Sequence, residues 1–290
     1  MTTRPDLPEL LADRIAVSAA TRRPLVVGLT GPQGSGKSTI AAALPALLKA
    51  RGLKAAVLGL DDLYLPKSDR LRLAAEVHPL LATRGVPGTH DIALGLDVLE
   101  NLKQGAPTPI PSFDKAADDR RPASAWSTVP GLVDVIVFEG WCVGARPQPP
   151  ADLFRPVNDL ERDRDPDGRW RRYANAALAG GYQRLFSPIG LQILLLAPSF
   201  EVVLGWRLQQ EHALRERTGA GQSDAQIAVF IQHYERLTRH IAAEMPPRAD
   251  AVVRLGEGRE VLEIRPPDVP SQPAHPGEMT MGLHPSDFIG

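Results

Sequence analysis

The segment Gly31-Pro32-Gln33-Gly34-Ser35-Gly36-Lys37-Ser38-Thr39 follows the apolar run Leu25-Val26-Val27-Gly28-Leu29-Thr30 and precedes Ile40-Ala41-Ala42-Ala43-Leu44. Strand, glycine loop and helix start, in that order, leave few folds open. The pattern G-x-x-x-x-G-K-[ST] makes a cradle of backbone N–H groups for a polyphosphate, with the lysine reaching the β/γ oxygens. Gly31, Gly34 and Gly36 allow positive φ and let the main chain approach the anion with no Cβ in the way. The helix beginning near Gly36 aims its unpaired N–H groups and positive dipole end at the phosphates. Lys37 adds a full charge, and the Ser38 hydroxyl can coordinate Mg²⁺. The bland alternative, a glycine turn with a surface lysine, is disfavoured by the strand and the alanine-rich helix on either side.

Composition limits what such a site can serve. At 290 residues the chain holds one large domain or two small ones, and 43% hydrophobic with 23% charged content is ordinary for a globular protein. A net charge of −1 gives no global attraction to nucleic acid or to an anionic membrane, so neither is expected as a partner. No apolar run is long enough for a membrane span, and the N-terminus lacks the apolar core of a signal peptide. The lone cysteine, Cys142, excludes an internal disulfide and suits a reducing cytoplasm. The histidines show no metal-ligand spacing, and the oligomeric state stays open.

Residues 8–20 read as an amphipathic helix covering the sheet edge. The helix after the glycine loop runs to Arg51-Gly52, with Pro45 expected to kink or interrupt it. Lys54 to Leu60 reads as a second strand, closing a βαβ unit and implying a parallel sheet. It ends in Asp61-Asp62-Leu63-Tyr64, and ligands of open α/β sheets sit off the carboxyl ends of strands. Two acids there favour chemistry over a helix cap or a turn. After helical residues 68–82 comes Arg84-Gly85-Val86-Pro87-Gly88-Thr89-His90-Asp91. In that loop Asp91 can cap the next helix, Ile92 to Lys103, and Arg84 is either a surface charge or a substrate contact.

Pro107 to Pro130 reads as an irregular substrate-covering loop carrying Phe113-Asp114-Lys115 and Arg120-Arg121. The strand Val133 to Phe138 delivers Glu139 next to Gly140, the logic of a carboxylate that holds Mg²⁺ or orders its water. Residues 151–186 are mixed, and Ile189 to Ala197 is a buried strand. A helix from Pro198-Ser199 to Arg217 carries Arg207, Arg215 and Arg217. A glycine break and the N-cap Ser223 precede the helix Ala225 to Glu244. Such a hairpin suits a lid supplying positive charge, or two solvated helices with arginines in ion pairs. Arg207, nearer the sheet, is the better candidate. Asp250 to Leu255 is a last core strand with Glu260 to Ile264 beside it, and from Pro266 the chain reads as a disordered tail.

With the glycine loop, Asp61-Asp62-Leu63-Tyr64 and Phe138-Glu139-Gly140-Trp141 in that order, the chain resembles the phosphoribulokinase/uridine kinase group of P-loop kinases. Arg84 to Asp91, Phe113-Asp114-Lys115 and Trp206-Arg207-Leu208-Gln209 narrow the resemblance to the D-glycerate 3-kinase branch, over roughly residues 25–255. The resemblance implies an α/β, three-layer P-loop kinase fold with a mostly parallel, five-stranded central sheet and a helical lid. It divides the chain into an N-terminal helix (1–24), a kinase domain (25–265, lid about 199–244) and the tail (266–290). It implies ATP and Mg²⁺, with Ser38 as direct metal ligand and Glu139 assisting. It makes Asp61 the base or orienting group for the acceptor hydroxyl, Arg207 the lid cation and Lys37 the phosphate cation.

Asp62, Tyr64, Arg84, His90, Asp91, Asp114, Lys115 and Arg120 then fall on the acceptor side. Relatives usually carry Phe where this chain has Leu63, and residues 155–186 have no clear counterpart. A carboxylated acceptor such as glycerate needs a cation, for which Arg84, Lys115, Arg120 and Arg121 are candidates, with arginine preferred because its fork binds carboxylate bidentately. The other expectations carried forward are a uridine-, pantothenate- or sugar-kinase-like enzyme and a non-catalytic ATP-binding regulator, which Asp61 and Glu139 argue against.

Overall fold

The computed structural model describes residues 6–219 and 221–265; the tail expected from Pro266 lies outside the described residues. The first half runs α1 (Leu7–Ala19), β1 (Leu25–Thr30), α2 (Lys37–Ala50), β2 (Ala55–Gly59), α3 (Lys67–Glu76), α4 (Ile92–Gln104), β3 (Thr108–Ile110), β4 (Phe113–Asp114), β5 (Asp119–Arg120), β6 (Ser127–Val129) and β7 (Val135–Gly140). The second half runs α5 (Asp159–Arg164), α6 (Arg169–Ala177), α7 (Gln183–Phe186), β8 (Ile189–Leu196), α8 (Phe200–Thr218), α9 (Asp224–Glu244), β9 (Ala251–Leu255) and β10 (Val261–Arg265).

The central sheet has the order β10-β9-β8-β1-β7-β2. All neighbours pair in parallel except β10, which pairs antiparallel with β9. The expected five-stranded parallel core is there, extended by one antiparallel edge strand. β1 is buried at every position, as a parallel strand covered on both faces must be. β2 lies beside β7 rather than β1, so the first βαβ unit leaves a gap that β7 fills later in the chain.

That pairing sets the site. Leu29 of β1 and Gly59 of β2 both stand level with Glu139 of β7, and Thr30 stands level with Gly140. The glycine loop, the Asp61 turn and Glu139 therefore leave the sheet at one edge.

Two expectations about the helices change. α1 packs on α2 and on β1 in the middle of the sheet, not on its edge. Its stripe Leu11, Ala12, Ile15 and Ala19 is buried, which a helix at an edge could not achieve. Arg51 at the end of α2 clasps Glu9 (2.6 Å) and Asp13 (2.7 Å) of α1. α2 also runs through Pro45 without a break. The proline removes one hydrogen bond, but Ile40, Ala41, Leu44 and Leu48 on the buried stripe hold both halves to the sheet.

The segment expected to be irregular, 107–130, is instead folded as two short antiparallel ribbons, β3–β6 and β4–β5. Asp114 makes the inner turn by accepting from the N–H groups of Ala116 (3.0 Å) and Ala117 (3.1 Å). α8 and α9 form the expected hairpin, with a Ser223–Gln226 capping box opening α9. α9 buries Ile227, Ile231, Tyr234 and Ile241. No helix among the described residues is long and apolar enough to cross a membrane.

Candidate active site

Gly34 (φ 80°) and Gly36 (φ 86°) take the left-handed conformation of the loop, whereas Gly31 does not. At Gly31 the requirement is space: a Cβ would lie 2.8 Å from Ser35 Oγ and 2.9 Å from Leu195 Cβ. Beyond Gly36 the first turn of α2 leaves the N–H groups of Lys37, Ser38 and Thr39 without intrahelical acceptors, facing outward at the sheet edge. Pro32 and Gln33 complete the loop between Gly31 and Gly34.

The Ser38 hydroxyl donates to Glu139 Oε1 at 3.1 Å, and Glu139 Oε2 is buried with no hydrogen-bond partner. Burial raises the Glu139 carboxyl above its usual range, Lys37 pulls it back, and Asp61 adds to the rise. A hydroxyl and an under-satisfied carboxylate at a phosphate loop are the hard-oxygen set that Mg²⁺ takes alongside nucleotide phosphates and water. Among the described residues no group of three or more His, Cys, Asp or Glu side chains could hold a metal without such help.

Asp61 and Asp62 lie on a single 3₁₀ turn, Leu60–Leu63, beyond the end of β2. Both oxygens of Asp61 are engaged: Tyr64 OH donates to Oδ1 at 2.9 Å and Lys115 Nζ to Oδ2 at 2.7 Å. Desolvation alone would raise this carboxyl. Lys115 and Lys37, with the two hydrogen bonds, outweigh it and hold Asp61 well below the usual carboxylate range. Asp62 instead accepts from the Phe113 N–H at 3.1 Å, and burial raises its pKa. It anchors the β4–β5 ribbon over the site.

Tyr64 stacks on His90 with centroids 4.5 Å apart and meets Phe113 edge-on. His90 Nδ1 lies 2.6 Å from Tyr182 OH, which also accepts the Gly88 N–H at 2.9 Å. Burial lowers the His90 pKa to about 3, so the ring is neutral. His90 thus supports Tyr64 from behind, without contact to Asp61 itself.

The cations sort by what already occupies them. Arg120 donates to Tyr64 O at 3.2 and 2.9 Å and to Asp91 Oδ2 at 3.1 Å from both terminal nitrogens. Asp91 also caps α4 through the Leu94 N–H at 3.1 Å. Both residues tie the ribbon to the loop before α4. Arg84 pairs with Asp118 and lies 5.5 Å above the Phe113 ring. Asp114 is occupied by its turn and by Arg121 at 3.1 Å, so it is not brought to Asp61. Lys115 alone among these cations reaches Asp61.

Arg207 pairs with Glu211 at 2.7 Å on its own helix, and among the described residues it has no hydrogen bond or ion pair to Asp61, Ser38 or Glu139. Arg215 pairs with Asp224 at 2.5 Å, and the side chain of Arg217 lies outside the described residues. The preceding residue, Trp206, is the one that meets the glycine loop: a Cβ on Gly34 would lie 2.5 Å from Trp206 Cβ.

Sequence reasoning missed Arg259. It sits at φ 65° in the turn between β9 and β10, donates through Nε to Gly34 O at 2.6 Å, and stacks on Trp206 at 5.2 Å. Trp206 Nε1 in turn donates to Glu257 O at 2.6 Å. The signal available was only an arginine after Gly256-Glu257-Gly258, far from the loop in sequence. Tyr182, hidden inside a helical run, and Tyr234, whose OH donates to Arg84 O at 3.1 Å, were missed for the same reason.

The family model for the methylmalonyl-CoA mutase-associated GTPase MeaB matches residues 7–70, the stretch holding the glycine loop. The chain is 35% identical to an uncharacterized kinase of Schizosaccharomyces pombe, mug58, over 73% of this chain and 79% of that one. It is 34% identical to the chloroplastic D-glycerate 3-kinase of Arabidopsis thaliana, over 73% of this chain and 46% of the plant protein. Among solved structures, a D-glycerate 3-kinase from Cryptococcus neoformans superposes with a TM-score of 0.75 at 27% identity, covering 91% of this chain and all of the other. With its fold, its phosphate loop and these relatives together, the chain belongs to the D-glycerate 3-kinase branch of the phosphoribulokinase/uridine kinase-like P-loop kinases and is an ATP-dependent kinase.

Proposed function

We propose that this kinase transfers the γ-phosphoryl of ATP to the 3-hydroxyl of D-glycerate, giving ADP and 3-phosphoglycerate, with Mg²⁺ held by Ser38 and Glu139. The observation that carries the reading is Lys115 Nζ at 2.7 Å from Asp61. A carboxylate for the acceptor hydroxyl stands beside a cation for the acceptor carboxylate, and the relatives named for this reaction support the choice.

Phosphoryl transfer leaves little covalent work to the protein, so the residues act by position and charge. The loop N–H groups and Lys37 hold the β- and γ-phosphates. Mg²⁺ held by Ser38 and Glu139 would supply neutralisation of the phosphate charge. Asp61 orients the acceptor hydroxyl in line with the γ-phosphorus and receives its proton, while Lys115 and Arg84 make the acceptor side cationic. In this reading the α8–α9 hairpin acts as the lid and Arg207 leaves Glu211 to face the phosphates on closure. The buried, unpaired Cys142 fits a reducing compartment such as the cytoplasm.

The test is ADP release by the purified chain with ATP and Mg²⁺, across D-glycerate, L-glycerate, glycerol, uridine and pantothenate. D-glycerate should stimulate turnover, and a 3-phosphoglycerate-specific coupling enzyme should detect the product. Silence with every hydroxy acid in the panel would sink the reading.

A further inference from the structure

We propose that Lys115 masks Asp61 in the empty enzyme and that the carboxylate of the acceptor removes the mask. The inference rests on the anionic-acceptor reading above and adds to it how binding that acceptor arms the reaction.

The two partners of Asp61 are unlike. Tyr64 is 2% exposed, stacked on His90 and edged by Phe113, so its hydroxyl is a fixed partner for Oδ1. The Lys115 side chain is 62% exposed, next to the Asp114 turn of the β4–β5 ribbon. Among the described residues its ammonium bonds only Asp61 Oδ2. It has two further N–H donors and a flexible four-carbon stem.

The other cations nearby cannot make the same exchange cheaply. Arg84 is bound to Asp118 and laid over Phe113, and Arg120 is bound to the Tyr64 carbonyl and Asp91. Moving either would take apart the ribbon that roofs the site. Lys115 can swing from one carboxylate to another while the fold stays as it is.

The consequence is a base that is unavailable until it is needed. With the acceptor site empty, a water molecule there meets a carboxylate whose two oxygens are both engaged, and ATP is spared from hydrolysis. When the acceptor's carboxylate takes the ammonium, Oδ2 is released beside the acceptor hydroxyl. The acceptor oxygen then bonds to the γ-phosphorus, the bond from that phosphorus to the β–γ bridging oxygen breaks to release ADP, and the hydroxyl proton passes to Oδ2.

The experiment compares acceptor-free ATP hydrolysis in the wild-type chain, Lys115→Gln and the double variant Lys115→Gln/Asp61→Asn, alongside the KM for D-glycerate. Lys115→Gln should hydrolyse ATP at least about threefold faster than wild type, because an unmasked carboxylate can serve water. Its KM for D-glycerate should rise about tenfold or more with the loss of the acceptor's cation. The double variant should lose the gain in hydrolysis. A gain of activity is something a merely structural lysine would not give on removal.

No rise in hydrolysis overturns the mask, and so does a rise that survives in the double variant. If the wild-type chain phosphorylates no hydroxy acid, the acceptor reading fails, and the hydrolysis comparison alone still decides on the mask. If wild type uses D-glycerate and Lys115→Gln hydrolyses no faster, the mask fails and the acceptor reading stands.

Discussion

The Ser38 hydroxyl donates to Glu139 Oε1 across 3.1 Å, joining the first turn of α2 to the end of β7. The level register of Leu29 and Glu139 on adjacent parallel strands makes that contact possible. One Glu139 oxygen is left buried and unpartnered, ready for a hard cation arriving with the nucleotide. Glu139→Gln keeps the shape and removes the charge. Turnover should fall about 10²–10³-fold, the range for losing one preorganised electrostatic group. The Mg²⁺ concentration for half-maximal rate should rise. Initial rates across a Mg²⁺ titration read both, and an unchanged Mg²⁺ dependence would remove Glu139 from the metal site.

Asp61 is held ionised by Lys115, Lys37 and Tyr64, outweighing its desolvation, and in the proposed function it serves the acceptor hydroxyl rather than the phosphates. Asp61→Asn should reduce turnover about 10²–10⁴-fold, the usual reach of a positioned acid–base group. ATP affinity, measured by calorimetry, should stay within about threefold of wild type, a difference under ~1 kcal/mol. A parallel loss of ATP binding would recast Asp61 as part of the nucleotide site.

Arg259, Gly34 and Trp206 form one contact across three distant parts of the chain. Arg259→Met removes the guanidinium that satisfies the Gly34 carbonyl and the stack on Trp206. Loss of that bond and the cation–π contact should cost about 1–3 kcal/mol of stability. The freed loop peptide should raise the KM for ATP more than it lowers kcat. Gly34→Ala should be worse, since its Cβ would press on the buried Trp206 at an already left-handed backbone. Urea unfolding and ATP saturation curves on both variants check this, and an Arg259→Met enzyme with wild-type KM for ATP would refute the loop-bracing role.

How much of this was legible in the sequence follows from how local each signal is. The glycine loop, the two carboxylate-bearing strand ends and the α8–α9 hairpin are written in short runs, and the structure has each of them at the expected place. The ribbons within 107–130 were not legible. Their strands span two or three residues, and side chains such as Asp114, Asp118 and Arg70 hold them together, not hydrophobic alternation. An arginine looked a better cation for a carboxylate than Lys115, and only three-dimensional partners separate Arg120, tethered to Tyr64 and Asp91, from the Lys115 ammonium that meets Asp61. Arg259 was invisible because its partner Gly34 lies at the other end of the chain and the contact uses a backbone carbonyl.

Two buried imidazoles make the last prediction, on pH. Burial lowers the His90 pKa to about 3 and the His233 pKa to about 4. His90 shares a hydrogen bond with the Tyr182 hydroxyl and packs on Tyr64, while His233 faces the Phe230 carbonyl and meets Trp170 edge-on. Both rings stay neutral in the folded chain, whereas in the unfolded chain each takes a proton near pH 6.5. The stability they contribute is therefore complete above about pH 6.5 and is lost as the pH falls toward their folded values. At pH 5 the loss should be about 2 kcal/mol for each ring. The depressed Asp61 carboxyl adds nothing in this window, because its contribution is lost only below the ordinary carboxylate range. His233→Phe keeps the ring contact with Trp170 and removes one titration. Relative to wild type it should flatten the fall in unfolding free energy between pH 7 and pH 5 by about 2 kcal/mol in urea titrations. A His233→Phe curve parallel to wild type would mean that this imidazole takes up its proton inside the folded chain.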